Sequence, residues 1–255
     1  MRILVLLKLV IDPEIPQSKF KIDFENKNQV VDDNPIVIST YDENALEVAL
    51  KLKDKHNFEV NVFSITPYDY QQPIKKALAM GADKAFVLKV PNSFIDSINL
   101  AKLIYDYIKQ EDYNLILTGY ESADWGHRSI PPVISSLLDY KLITYSYSVE
   151  YEQNNWIIRK LVGNGFVVLK TNKNLVVSIT THQENQPRYP KVKDIMMASK
   201  KPIIVDEINP NFESNLIIEK IEQPKIKKEC QFIDGKDAHE KAQKLYNKLK
   251  ELKLV

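Results

Sequence analysis

Apolar residues in the first half of the chain occur in short runs, and each run is followed by a stretch with helical spacing of apolar and polar positions. The runs typical of buried strands are residues 2–9, 60–65, 84–88 and 115–117. The helix-like stretches are residues 40–55, 68–80, 93–110 and 129–138. This alternation predicts an α/β fold whose sheet is doubly wound and mostly parallel.

The first predicted helix has a defined start, and the segment before it is irregular. Thr40 and Glu43 have the spacing of a capping box, so we expect the Thr40 hydroxyl to cap this helix. Residues 12–34 are polar and interrupted by prolines, with a short hairpin predicted near Lys27 and Asn28.

The pattern changes after residue 139 to short segments of alternating polarity. These segments are residues 141–151, 156–162, 165–171 and 175–180. They predict an antiparallel meander over about 141–180, added to the parallel sheet and followed by a short helix over 192–199. We therefore assign residues 1–202 to one α/β domain.

The remaining residues, 203–255, lack a complete core pattern until the last helix. That helix has Leu245, Tyr246, Leu249 and Leu252 on one face and mostly lysine and glutamate on the other. An amphipathic helix separated from its domain by a long segment needs a surface to cover it. We expect residues 203–255 to form an extended arm and helix that wrap a partner subunit.

Composition excludes several classes of function. The chain has 255 residues with 35 basic and 34 acidic side chains, so it lacks the charge of a nucleic-acid-binding protein. Cys230 is the only cysteine and the four histidines have no ligand spacing, so we expect no metal site. The apolar N-terminal run is broken by Lys8 and is too short to span a bilayer. We expect a cytoplasmic protein that is not inserted in a membrane.

The loop between the apolar run 115–117 and the helix at 129–138 is the first candidate binding site. In an open α/β sheet, anionic ligands bind between the carboxyl end of a strand and the start of the next helix. Pro131 and Pro132 lack the N–H groups that such a site uses, so the alternative is an ordinary capped connection. The glycines do not have Rossmann or Walker spacing, and the acidic pairs are explained by solvation or capping, so we predict no catalytic residues.

Several stretches of the chain, in order, resemble the β subunit of electron transfer flavoproteins. They are RILVLLK (2–8), YDENALEVALKL (41–52), KALAMGADKAFV (76–87), LILTGYESADWG (115–126), NQPRY (185–189) and DIMMASKKP (194–202). The resemblance implies a Rossmann-like fold of the adenine-nucleotide-binding type and a separate α subunit that holds most of the FAD. It also implies an electron carrier between flavin dehydrogenases and a quinone oxidoreductase or similar acceptor.

The resemblance also implies two sets of site residues. Those of a nucleotide pocket for AMP, or for a second FAD, are Leu6, Ser39, Thr40, Tyr41, Asp42, Ile65, Ser122, Ala123, Asp124, Trp125, Gly126, His127, Arg128, Ser129 and Ile130. Those of a partner-docking loop are Gln183, Glu184, Asn185, Pro187, Arg188 and Tyr189.

The chain departs from the family pattern in both sets. Ser39-Thr40 stands where the family usually has Asn-Pro, Leu6 is bulkier than the usual residue, and Pro131 replaces a glycine that faces the phosphate. These changes argue against AMP, and more strongly against a second FAD, unless Arg128 or His127 supplies charge-assisted bonds of about 1.5–3 kcal/mol each.

The docking loop departs at one position. Glu184 replaces a leucine that family members insert into their dehydrogenase partners, and a carboxylate is costly to bury in an apolar pocket. We expect a different electron donor, or docking through other residues. Two alternatives to the electron carrier stay open: a stand-alone adenine-nucleotide-binding protein like the universal stress proteins, and a structural subunit that has lost its nucleotide.

Overall fold

The structure, a computed structural model, describes residues 1–91, 95–210, 212, 214, 216–222 and 230–255. The chain divides into two compact units, Met1–Glu219 and Lys220–Val255. No helix among the described residues has both the length and the apolar character needed to cross a membrane.

A nine-stranded sheet forms the centre of the first unit. Its strands, in order across the sheet, are β11 (Gly165–Thr171), β10 (Asn155–Val162), β9 (Lys141–Glu152), β12 (Leu175–Ile179), β8 (Leu115–Gly119), β1 (Arg2–Leu6), β6 (Glu59–Thr66), β7 (Lys84–Lys89) and β13 (Ile203–Glu207). All neighbours from β9 to β13 pair in parallel, and β10 pairs antiparallel with both of its neighbours.

Two short antiparallel pairs occupy the segment between β1 and the first helix. They are β2 (Leu9–Ile11) with β5 (Ile36–Ile38), and β3 (Lys21–Asp23) with β4 (Asn28–Val30). The second pair is the hairpin that the sequence predicts near Lys27 and Asn28. Lys27 has a φ of 52° in its turn.

Helices cover both faces of the sheet. They are α1 (Thr40–His56), α2 (Gln71–Met80), α3 (Ser97–Ile108), α4 (Ile130–Leu138) and α5 (Val192–Ala198), and the second unit contains α6 (Ala238–Glu251). Alternate residues of β1 enter different cores: Ile3 and Val5 pack in the core that includes α1 and α2, whereas Leu4 and Leu6 pack in the core that includes α3 and α4. The predicted doubly wound α/β fold is therefore confirmed.

The start of α1 differs from the prediction. Ser39, not Thr40, is the N-cap, and its side chain makes no capping hydrogen bond. The Ser39 hydroxyl instead accepts a hydrogen bond from the backbone N–H of Ala123 at 3.2 Å. Glu43 does not close a capping box with Thr40, and its carboxylate pairs with Lys76.

Two segments after residue 140 also differ from the prediction. The meander comprises β9, β10 and β11, but β12 is not its fourth strand: β12 lies between β8 and β9, parallel to both and buried at all five positions. The segment 203–207, predicted to begin the arm, is the edge strand β13. Its exposed side chains explain why its sequence has no core pattern.

Some boundaries lie outside the described residues. The helix predicted over 93–110 is Ser97–Ile108, capped by the Asp96 carboxylate, and the predicted start at 93 and 94 is outside the described part of the chain. The same holds for residues 211, 213, 215 and 223–229 of the predicted arm.

Candidate functional site

A cleft of about 670 Å³ lies at the carboxyl edge of the sheet. Its walls are the end of β6, the loop after β8, the start of α3 and the β3–β4 hairpin. A smaller pocket of about 90 Å³ reaches Leu6, Asp42 and Gly119, and shares Ile65 and Ser122 with the cleft. The cleft is within the range of about 300–1,000 Å³ that small-molecule sites occupy.

Asp42, in the first turn of α1, joins the ends of two central strands. One carboxylate oxygen accepts from the backbone N–H of Lys8 at 2.7 Å, and the other accepts from that of Gly119 at 2.7 Å. Burial raises the pKa of Asp42 to about 7, although these two hydrogen bonds and the charge of Lys8 act in the opposite direction. A Cβ on Gly119 would stand 2.4 Å from the Asp42 carboxylate, so only glycine fits here.

Four backbone donors of the loop after β8 already have acceptors. The N–H groups with acceptors in or beside the loop, at 2.7–3.3 Å, are those of Ser122, Ala123, Trp125 and Gly126. A phosphate at a helix start is held by N–H groups that have no other partner. Together with the two prolines at the start of α4, these bonds remove several of the donors that a phosphate could use.

The positively charged and imidazole side chains around the cleft also have partners. Lys8 pairs with Asp124 at 2.7 Å, and the His127 ring lies 3.2 Å from the Ser97 hydroxyl. Arg128 lies outside the cleft lining, where it pairs with Glu121 at 2.7 Å and covers the Tyr120 ring at 4.3 Å.

One polar atom in the cleft lacks a protein partner. The hydroxyl of Ser122 is buried and makes no hydrogen bond with any of the described residues, yet Ser122 lines both the cleft and the smaller pocket. A buried hydroxyl normally has a hydrogen-bond partner. Because Ile65, Leu100 and Ile130 line the same walls, the cleft suits a ligand with apolar faces and a polar edge.

The structure brings together about half of the predicted pocket residues. Those that line the cleft are Ile65, Ser122, Asp124, Trp125, His127 and Ile130. Leu6 and Asp42 line only the smaller pocket. Those that line neither are Ser39, Thr40, Tyr41, Ala123, Gly126, Arg128 and Ser129.

No sequence pattern predicts one of the walls of the cleft. Residues 26–31 of the β3–β4 hairpin border the cleft, together with Lys8 and Asp23. The turn near Lys27 predicts a hairpin but not its position, because no local pattern relates that turn to a loop about a hundred residues away.

Two residues of the predicted docking loop fasten it to the rest of the domain. Asn185 is fully buried, and its amide donates to the backbone carbonyls of Tyr147 and Thr180 at 3.0 and 2.8 Å. Arg188 forms a two-pronged bond with the buried Glu47 at 2.9 Å and also reaches Asp54 at 2.8 Å. These bonds raise the pKa of Arg188, so its charge is fixed.

The other docking-loop residues are accessible to a partner at the surface. Gln183, Glu184 and Tyr189 are exposed, and Pro187 is half-buried. Glu184 belongs to a short 3₁₀ turn capped by His182, and its backbone carbonyl accepts from Lys51. The loop thus lies at the surface and is held in a defined conformation by hydrogen bonds.

A doubly wound sheet with a ligand-sized cleft at its carboxyl edge is typical of nucleotide-binding α/β proteins. Within that class, residues 28–210 match the family model of the electron transfer flavoprotein domain, and the chain belongs to this family. The predicted resemblance is therefore confirmed.

Relatives in the family are similar over most of their length. Electron transfer flavoprotein subunit beta of Thermoanaerobacterium thermosaccharolyticum is 31% identical over 203 residues, covering 79% of this chain and 76% of the relative. The protein of the same name from Clostridium acetobutylicum is 30% identical over 98% of both chains. A subunit of the caffeyl-CoA reductase-Etf complex of Acetobacterium woodii is 28% identical over the full length of both.

Proposed function

We propose that this chain is the β subunit of a heterodimeric electron transfer flavoprotein and carries no catalytic residues of its own. The family match over residues 28–210 carries the proposal. An α subunit holds most of the FAD, and the heterodimer takes electrons from flavin dehydrogenases and passes them to a quinone oxidoreductase or a similar acceptor. The name of the Acetobacterium woodii relative supports an acyl-CoA oxidoreductase as one such partner.

The FAD supplies the electron-carrying chemistry when it is bound. This chain contributes the rigid sheet, the surface that meets the α subunit, and the docking loop fastened by Asn185 and Arg188. The arm and helix that follow β13, over 208–255, wrap the α subunit.

The cleft fits the nucleoside part of AMP better than its phosphate. Ser122 offers an unused hydroxyl and the walls are apolar, whereas four loop N–H groups already have acceptors. We infer that AMP binds weakly and that adenosine binds within about tenfold of AMP, because several of the N–H donors that a phosphate would use already have acceptors or are replaced by proline. We do not propose a second FAD in this cleft, because its phosphates would need the same N–H donors.

Co-expression with a candidate α subunit tests the proposed function. We expect a yellow heterodimer with a flavin absorption spectrum, whose denatured extract contains one FAD and less than one AMP per heterodimer. A colourless monomer that retains ATP would support a stand-alone nucleotide-binding protein. A colourless, nucleotide-free heterodimer would support a structural subunit.

Calorimetric titration tests the ligand of the cleft. The heterodimer is titrated with AMP and with adenosine, and Ser122→Ala is expected to weaken both ligands by a similar factor. Ser136→Ala, a serine of α4 that does not line the cleft, is the control. AMP that co-purifies at one per heterodimer, or binds far more tightly than adenosine, would show that the phosphate has a site of its own.

A further inference from the structure

The chain between β13 and the second unit passes beside the walls of the cleft. It leaves β13 next to the end of β7, where the backbone N–H of Ile208 donates to the Lys89 carbonyl at 3.0 Å. Further along, the Ser214 hydroxyl lies 3.3 Å from the carboxylate of Asp96, the N-cap of α3. The start of α3 is one of the cleft walls. We refer to residues 214 and 216–218 as the strap.

The other end of the strap is bonded to the β3–β4 hairpin, which is a second cleft wall. The Lys27 ammonium group donates to the Ile218 carbonyl at 2.6 Å, and Lys27 itself lines the cleft. The Ser214 hydroxyl donates to the Leu216 carbonyl at 2.6 Å, which holds these two residues of the strap together. None of the described residues of the strap lines the cleft. The strap therefore contacts two cleft walls from outside.

The core of the domain holds the hairpin only weakly. Among the described strands, β3 and β4 pair with each other and not with the nine-stranded sheet. None of residues 21–30 is buried, and the ion pair between Lys21 and Asp32 joins two parts of the hairpin segment itself. A segment with few buried apolar contacts opens locally at a low cost in free energy. The position of the hairpin therefore depends on surface bonds such as that between Lys27 and Ile218.

Given the proposed function, in which the cleft binds an adenosine-like ligand, we propose that the β3–β4 hairpin is the lid of the cleft and that the strap holds it closed. Residues 26–31 all border the cleft, so a movement of the hairpin opens one whole wall. Breaking the bond between Lys27 and the strap favours the open position to the same extent with and without ligand. The ligand then enters and leaves faster, while its affinity changes little.

Ligand-exchange kinetics of the purified heterodimer test the lid. The probe is formycin A, a fluorescent isomer of adenosine, and stopped-flow mixing gives its association and dissociation rates. Lys27→Met removes the ammonium group and keeps the apolar stem. We expect both rates to rise by about fivefold with Kd within about twofold, as for the loss of one partly exposed hydrogen bond from a charged group. Lys21→Met, the same change on β3 at a lysine that does not line the cleft, is the control and should leave both rates within about twofold.

A second variant separates the lid from a direct ligand contact, because Lys27 itself lines the cleft. Ser214→Ala removes the hydroxyl that holds the strap together, and Ser214 does not line the cleft. We expect both rates to rise by about two- to fivefold, again with little change in Kd. Hydrogen exchange of the ligand-free heterodimer is an independent measurement: the amides of residues 21–30 should exchange faster in Lys27→Met than in Lys21→Met or the wild type.

Three results would overturn the proposal. Unchanged rates and unchanged hydrogen exchange in Lys27→Met would mean that the strap does not hold the hairpin. Faster dissociation with an unchanged association rate would make Lys27 a ligand contact. Equal effects of Lys21→Met would mean that the hairpin's own stability controls the cleft.

Failure of the proposed function is a different observation. A wild-type heterodimer that binds no formycin A would contradict the proposed ligand of the cleft, and hydrogen exchange would still decide whether the strap holds the hairpin. A wild-type chain that gives no yellow heterodimer would contradict the electron carrier itself.

Discussion

Asp42 connects the first turn of α1 to the ends of β1 and β8, and its buried position makes the stability of the protein depend on pH. Burial raises its pKa from 3.8 to about 7. Between these values the folded protein holds a proton that the unfolded chain has released. The contribution of this proton to the free energy of unfolding is therefore fully present below pH 3.8 and is lost as pH rises through 7.

Asp42→Asn tests this linkage. The amide cannot accept both backbone N–H bonds, so the variant is less stable, but it does not titrate. We expect the stability advantage of the wild type over the variant to shrink by up to about 4 kcal/mol between pH 4 and pH 8. Urea unfolding at several pH values measures this, with Asp33→Asn, at an exposed carboxylate, as the control. An advantage that stays constant with pH would contradict the prediction.

Gly119 is required by the close approach of Asp42 rather than by its backbone angle. A methyl group at Gly119 would meet the Asp42 carboxylate at 2.4 Å and the Cβ of Tyr41 at 2.8 Å. We expect Gly119→Ala to destabilise the protein by about 1–3 kcal/mol, as overpacking does. Gly165→Ala is the matched control, because nothing lies within 4 Å of its added Cβ. Equal melting temperatures for the two variants would argue against the crowding.

At the scale of elements, Arg188 fastens the docking loop to α1. Its partner Glu47 has a side chain that is only 5% exposed, while Arg188 is 32% exposed. We expect Arg188→Ala to cost about 3 kcal/mol, the lower end for breaking a buried pair, because water still reaches the guanidinium. Limited proteolysis should then cut the loop over 181–189.

Arg159→Ala provides the comparison for Arg188. Arg159 pairs with Glu150 across β9 and β10 at 2.7 Å, with both side chains about 30% exposed. We expect a loss of at most about 1 kcal/mol and no change in proteolysis of the docking loop. Similar losses in the two variants would mean that the Arg188 bond does not hold the loop.

Sequence patterns predict the elements that depend on neighbouring residues. They do not predict positions in the sheet that depend on contacts between distant parts of the chain. The apolar runs of β1, β7 and β8 identify buried parallel strands, and the helix predicted over 129–138 is α4, Ile130–Leu138. The sequence places β12 in the meander because four short strands in a row look alike. Only its burial between β8 and β9 sets it in the parallel sheet.

The same distinction holds for the candidate site. The loop after β8 is predictable from its position between a strand and a helix. The use of Ser39 to hold Ala123, 84 residues away, is not, and neither is the position of the β3–β4 hairpin beside the cleft. Because Ser39 takes the N-cap position of α1, Thr40 has the sequence of a helix cap but does not act as one.

At the scale of the whole molecule, the first unit contains the structure needed for folding and for the cleft. The sheet, both cores and every residue of the cleft lie within Met1–Glu219. None of the residues of α6 is buried. Its apolar side chains Leu245 and Tyr246 are exposed, and so is Leu252, which follows the helix. A helix of 14 residues is marginally stable without packing, so we propose that the α subunit provides its packing surface.

Truncation after Glu219 tests this division of roles. We expect the shortened chain to unfold cooperatively with a melting temperature within about 5 °C of the full chain, since less than about 1 kcal/mol of stability is removed. It should bind adenosine as the full chain does, but should no longer co-purify with the α subunit. Leu245→Ser with Tyr246→Ser in the full chain should reproduce the loss of the α subunit without shortening anything. A shortened chain that melts far lower, or that keeps the α subunit, would mean that the second unit stabilises its own chain and does not serve the heterodimer.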